Sequence, residues 1–114
     1  MIAPRALPTP QVTEAEFQAQ VVQLATIAGW QHLHVRRTIG RGRKWTTSTN
    51  LPGWPDLLLW KPGRIVAAEL KTDTGKTTPE QDAVLASLTA AGVETHVWRP
   101  ADWDEIASTL GRRQ

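Results

Sequence analysis

From residue 13 onward, apolar side chains fall at helical spacing, with Phe17, Val21, Leu24 and Ala28 on one stripe. Thr13-Glu14-Ala15-Glu16 has the form of a capping box, so a helix is expected over 13–28, ended by Gly29. From Trp30 to Arg36 the pattern changes to alternation, with Leu33 and Val35 apolar, which is strand-like. Asp56–Trp60 and Arg64–Leu70 are continuous apolar runs joined by Lys61-Pro62-Gly63, where Pro-Gly suits the centre of a type II turn. They predict an antiparallel hairpin. Thr78-Pro79-Glu80-Gln81 supplies an N-cap with proline at the first helical position, and Val84, Leu85 and Leu88 form the apolar face of a helix that Gly92 ends. Glu94–Arg99 reads as a strand broken by Pro100, and Asp102 to about Leu110 as a last helix in which Asp102 and Glu105 pair as a cap.

The resulting order is α, β, β, β, α, β, α. The strand-helix-strand unit should be a right-handed parallel crossover, so the expected fold is α/β, a mixed sheet flanked by helices. Residues 1–12, with Pro4, Pro8 and Pro10, read as an extended arm, and 13–110 as one domain. Residues 38–55, rich in Gly, Arg, Thr, Ser and Asn, read as a long loop whose length points to function.

Composition narrows the field. With 40% hydrophobic and 21% charged residues the chain matches ordinary globular domains. No apolar run nears the roughly 18 residues that span a bilayer, and none suits a secretory signal, so the expectation is a cytoplasmic protein with no membrane partner. Cysteine is absent, which leaves only oxygen or imidazole to hold a metal.

Charge is unevenly spread. No acidic residue lies between Glu16 and Asp56, a stretch that carries Arg36, Arg37, Arg41, Arg43 and Lys44. Such an excess is the footprint of a nucleic-acid binder, although a solvated basic loop would look the same. Trp45 beside it, and Trp54, are candidates for stacking on bases or sugar, while Trp30, Trp60 and Trp98 read as core or rim. His34 and His96 lie in predicted strands and receive no role.

The candidate chemistry lies at Asp56 and at Glu69-Leu70-Lys71. Pairing about a turn centred between Pro62 and Gly63 sets opposite one another positions whose numbers add to 125, and Asp56 with Glu69 meets that condition. The two carboxylates then stand at one end of the hairpin, where they repel unless a cation lies between them. Hard oxygen ligands suit Mg2+ or Mn2+. Alternation puts Lys71 on the face of Glu69, beside the same ion, where its ammonium can orient a water or offset charge on phosphorus. A lone Glu-x-Lys would ordinarily be a surface ion pair. Here Glu69 closes the apolar run Ile65-Val66-Ala67-Ala68, where an unpaired charge is costly.

Gly53-Trp54-Pro55-Asp56, then Ala68-Glu69-Leu70-Lys71-Thr72, then Gly75 with Thr78-Pro79-Glu80-Gln81, resembles the VRR-NUC family of the PD-(D/E)XK nuclease superfamily, in its small stand-alone phage and bacterial type. The resemblance runs from about Glu14 to Trp98. It implies a restriction-endonuclease-like core and Mg2+- or Mn2+-dependent cleavage of DNA. Asp56, Glu69 and the backbone carbonyl of Leu70 are the implied metal ligands and Lys71 the catalytic lysine. Gln81 is implied to hold the lysine or the phosphate, and it also fits as the capping partner of Thr78. The family's helix-1 acid falls on Glu14 or Glu16. Glu14 aligns with Phe17 and Val21 and is preferred, with contact to the metal through water, while Glu16 aligns with Gln20 and Gln23 and reads as the cap. Lys76 joins the basic stretch as a DNA contact.

A small domain has one active site, so coordinated cutting of a branched substrate such as a Holliday junction calls for a symmetric homodimer, as the resemblance also implies. Six tryptophans in so short a chain leave apolar surface for such a partner. The alternatives are a DNA-binding module without cleavage, a monomer that nicks flaps or duplex, and an RNA-processing nuclease.

Overall fold

The computed structural model describes residues 12–35, 37–39, 45–47 and 51–111, the two short middle stretches by their backbone alone. Helix α1 (Glu14–Ile27) leads into strand β1 (Gln31–His34), followed by β2 (Arg37–Ile39), β3 (Trp45–Thr47), β4 (Leu57–Lys61) and β5 (Arg64–Leu70). Helix α2 (Pro79–Ala90), strand β6 (Glu94–Trp98), a 3-10 turn at Pro100–Asp102 and helix α3 (Trp103–Gly111) complete the chain. A four-stranded mixed sheet has the order β1-β4-β5-β6, antiparallel except for the parallel pair β5 and β6. The fold is thus mixed α/β among the described residues, with three helices about this sheet. Among the described residues no helix is long and apolar enough to cross a membrane.

Local chemistry accounts for these elements. Thr13 Oγ1 accepts from Glu16 N at 3.1 Å, and Glu16 Oε1 accepts from Thr13 N at 3.2 Å, which satisfies two of the amide donors that the start of α1 would leave unpaired. Gly29 ends the helix at φ +89°. In the β4–β5 turn Gly63 has φ +83°, the conformation that the third position of a type II turn demands.

Alternation then divides the sheet. Leu57 and Leu59 of β4, Val66, Ala68 and Leu70 of β5, and Trp98 of β6 face α1 and α3, where they bury Phe17, Val21, Ala25, Ile106 and Leu110. Each such large side chain contributes about 1.5–3 kcal/mol by leaving water. Trp30 closes this core, its indole N–H donating to Leu110 O at 2.8 Å, with Lys61 Nζ 4.7 Å and the Arg64 guanidinium 4.9 Å from its ring centre. The opposite face carries Ala67 and Glu69 of β5 with Thr95 of β6. Helix α2 packs there, its Thr89 hydroxyl 2.6 Å from that of Thr95.

Several expectations are corrected. The loop expected over 38–55 takes in β3 and all of β2 but its first residue, and the two strands pair as a separate two-stranded sheet from Arg37 opposite Thr47 to Ile39 opposite Trp45. β-Branched and aromatic residues at these positions favour extended pairing, which the neighbouring glycines obscure in the sequence. The strand expected over Trp30–Arg36 stops at His34. Its alternation is phased correctly but its apolar face is not buried: Leu33 is 52% exposed. Leu33 pairs with Leu58 on the α2 side, while α2 itself packs mainly over β5 and β6. Trp60, on the same bare half of the sheet, is also partly exposed. Val12, assigned to the arm, packs against the core. Asp102 caps the turn that precedes α3, its carboxylate accepting from Arg99 N at 2.9 Å, so its partner is Arg99 and not Glu105.

Candidate functional site

The turn-centred register holds through the whole hairpin, from Lys61 opposite Arg64 to Leu57 opposite Ala68. One step further, Asp56 and Glu69 are the next positions in line, on the α2 side of the sheet. Asp56 lies just ahead of β4 and is anchored twice. Its main-chain carbonyl accepts from Val35 N at 3.0 Å, and its Oδ2 accepts from Leu70 N at 2.9 Å. Since the N–H and C=O of one strand residue point to the same side, the Leu70 carbonyl is directed toward the Asp56 edge of β5. Glu69 is fully buried, and Lys71, half-buried, extends the parallel ladder by donating its amide to Trp98 O at 3.0 Å. Lys71 is the first residue past β5, and alternation continued one step would give it the face of Glu69.

The segment ahead of Asp56 meets α2 at Gly53. This residue has φ +87°, and a Cβ built on it would lie 2.5 Å from Glu80 C and O and 2.7 Å from Gln81 N. Only glycine allows this approach, which lays the chain before Pro55 and Asp56 against the first turn of α2. Gln81 is buried there, accepting from Thr78 N at 2.9 Å while its own amide donates to Thr78 Oγ1 at 3.1 Å. Its capping reading is therefore correct. The cap uses the side-chain oxygen, so a contact from Gln81 to phosphate or lysine would be made by its NH2 group.

Among the described residues no group of three or more His, Asp or Glu gathers into a metal site. Glu14 is exposed at the start of α1 and is not drawn into such a group with Asp56 and Glu69, which corrects the expectation that it faces the sheet. The stripe behind that expectation is real at Phe17, Val21 and Ala25, but the first turn lies beyond what the core covers. Two carboxylates and a carbonyl still fit Mg2+ or Mn2+, since Mg2+ commonly takes one or two carboxylates and fills its octahedron with waters and substrate phosphate.

Of the residues expected to touch DNA, Arg36, Arg41, Arg43 and Lys44 lie outside the described residues, as do the side chains of Arg37 and Trp45. Lys76 is exposed in the loop after β5, and Trp54 is half-buried beside Gly53. Trp30 and Trp98 are core. His96 belongs to a separate cluster on the α3 side, its Nε2 2.8 Å from Glu94 Oε2, while Arg64 Nη2 donates to both Glu94 oxygens at 2.8 and 3.0 Å. Burial alone would raise the Glu94 carboxyl, but the bonds from His96 and Arg64 outweigh it and hold the group below the usual carboxylate range.

Searched against models of known families, characterised proteins and solved structures, the chain matches none. Function is therefore read from the geometry of the site.

One residue near the site escaped the sequence reading. The Arg99 side chain, at the end of β6, donates from Nη1 to the carbonyls of Thr72 and Gly75, at 2.6 and 2.5 Å. No local pattern marks it, because its partners lie 27 and 24 residues earlier in the chain.

Proposed function

We propose that this chain is a divalent-metal-dependent DNA endonuclease of the PD-(D/E)XK type, with a restriction-endonuclease-like core, related to the VRR-NUC nucleases and acting as a homodimer on branched DNA. The observation that carries the reading is the hairpin register, from Lys61 opposite Arg64 to Leu57 opposite Ala68, whose next step brings Asp56 opposite the fully buried Glu69 and whose alternation, continued past β5, gives Lys71 the same face. Burying a carboxylate costs several kcal/mol, and a cation shared with Asp56 offsets that cost while also doing chemistry.

In this reading Asp56, Glu69 and the Leu70 carbonyl hold the ion, which when bound supplies an acidified water and neutralises charge on the scissile phosphate. Asp56 is oriented for its part by the Leu70 amide. Lys71 stands beside the phosphate, orients the attacking water and offsets the negative charge that grows on the phosphoryl oxygens. Gln81, fixed by its cap, directs its NH2 group toward the same phosphate or toward Lys71. The basic stretch and Lys76 grip the backbone without reading sequence.

Incubation with labelled junction, flap, duplex and single-stranded DNA, and with RNA, in Mg2+, Mn2+ or chelator tests the reading. Metal-dependent cutting of branched DNA is expected. No cutting of any DNA would overturn it, and cutting of RNA alone would move the substrate. Light scattering over a concentration series tests the dimer.

Two further results are expected. Neutralising Arg41, Arg43 and Lys44 together should weaken binding to all DNA sequences alike and flatten its salt dependence, by up to about 0.9 in slope per lost phosphate contact. An unchanged slope would make the stretch a solvated connector. Glu16→Gln should cost on the order of 1 kcal/mol or less, because Gln can still accept from Thr13 N. Glu14→Gln should leave both the cleavage rate and the melting temperature near those of the wild type, since Glu14 is exposed and forms no metal-binding group with Asp56 and Glu69. Slower cleavage by Glu14→Gln would return that residue to the site, and slower cleavage by Glu16→Gln would give a helix-1 role to Glu16.

A further inference from the structure

We propose that Arg99 is a positioning residue for Lys71, acting through the loop that follows β5. This rests on the nuclease reading for its purpose, but its geometry stands independently. Lys71 is the last residue tied into the parallel ladder, through its amide to Trp98 O. Beyond it the chain turns at once. Gly75 N donates to Thr72 O at 3.3 Å and to Thr72 Oγ1 at 3.0 Å, so residues 72–75 close into a compact turn.

That turn lies against the lysine stem. A Cβ built on Gly75 would sit 3.7 Å from Lys71 Cδ and 3.0 Å from Thr72 Oγ1, so the turn at Gly75 stands beside the Lys71 stem and forms a wall at its Cδ. Lysine has a flexible four-carbon stem, and holding its ammonium at one point requires something rigid beside that stem. The turn itself has little core beneath it: Asp73 and Thr74 are exposed.

Its rigidity comes from the corner after β6. The Arg99 guanidinium binds the carbonyls at both ends of the turn, and Asp73 Oδ1 accepts from Ala101 N at 3.0 Å. Arg99 is held in turn by its own amide, which donates to Asp102 Oδ2. Both bonds leave the single nitrogen Nη1, whose N–H groups are fixed in direction by the guanidinium plane, whereas a lysine at this position would end one bond shorter in a freely rotating ammonium. Without the guanidinium both carbonyls lose a charge-assisted bond, and the wall beside Lys71 loosens.

The test compares Arg99→Met and Arg99→Lys with the wild type by two readouts. The first is the pair of ε-methylene proton resonances of Lys71, assigned by Lys71→Arg. They are expected to be split in the wild type, to merge in Arg99→Met and to be partly split in Arg99→Lys. The second is single-turnover cleavage with DNA affinity measured alongside. The rate is expected to fall about tenfold in Arg99→Met with Kd unchanged, since small misplacements of a reacting group cost this much or more. If Arg99→Met does not fold, Arg99→Lys decides. Lys71 resonances identical to the wild type in every folded variant overturn the proposal. A wild type that cuts nothing refutes the nuclease reading alone, because the resonances report the positioning without turnover.

Discussion

Asp56→Asn and Glu69→Gln are each expected to reduce cleavage by on the order of a thousandfold, to the level of the wild type in chelator. Both replacements are isosteric. In Asp56→Asn the new amide can still accept from Leu70 N through its carbonyl oxygen, so the 2.9 Å anchor of that segment survives. The loss is therefore one of charge and not of shape. A second measurement separates metal binding from chemistry. At free Mn2+ ten times its Kd, the wild type should gain about 1.4 kcal/mol, or roughly 6–11 °C in melting temperature for a domain of this size. Both variants should lose that gain. A variant that still melts higher in Mn2+, or still cuts, would place the ion elsewhere.

Gly53→Ala should be the most destabilising single-methyl change near the site, costing about 2–6 kcal/mol. Two effects combine. An alanine at φ +87° is strained by about 1–3 kcal/mol, and its Cβ would overlap Glu80 C and O and Gln81 N, which forces backbone apart at roughly a further 1–3 kcal/mol. Gly29→Ala separates the two, because Gly29 has φ +89° with nothing within 4 Å of a built Cβ, and should show the strain alone. Urea midpoints for the two variants measure the difference. Equal midpoints would mean that the approach of the motif to α2 carries no energetic weight. Since the forced separation moves the Asp56 segment from the turn that holds Gln81, cleavage should fall in Gly53→Ala even where the protein remains folded.

What the sequence alone determined is what depends on near neighbours in the chain. The capping boxes at Thr13 and Thr78, the Gly63 turn and the β4–β5 register from Lys61 opposite Arg64 to Leu57 opposite Ala68 are all legible because each is closed by residues a few positions apart, or follows by counting from one turn. Buried Glu69 was readable for the same reason: it ends a continuous apolar strand. The exposure of Leu33, the pairing of β2 with β3 and the exposure of Glu14 were decided by tertiary structure. Periodicity records which side of an element is apolar, but not whether another element is long enough, or placed, to cover it. The same limit hid the support around the site. Gly53 is needed because of backbone at Glu80 and Gln81, and Arg99 matters because of carbonyls at Thr72 and Gly75. These partners are brought together only when β5, α2 and β6 pack, because a long-range contact leaves no period and no spacing in a single sequence.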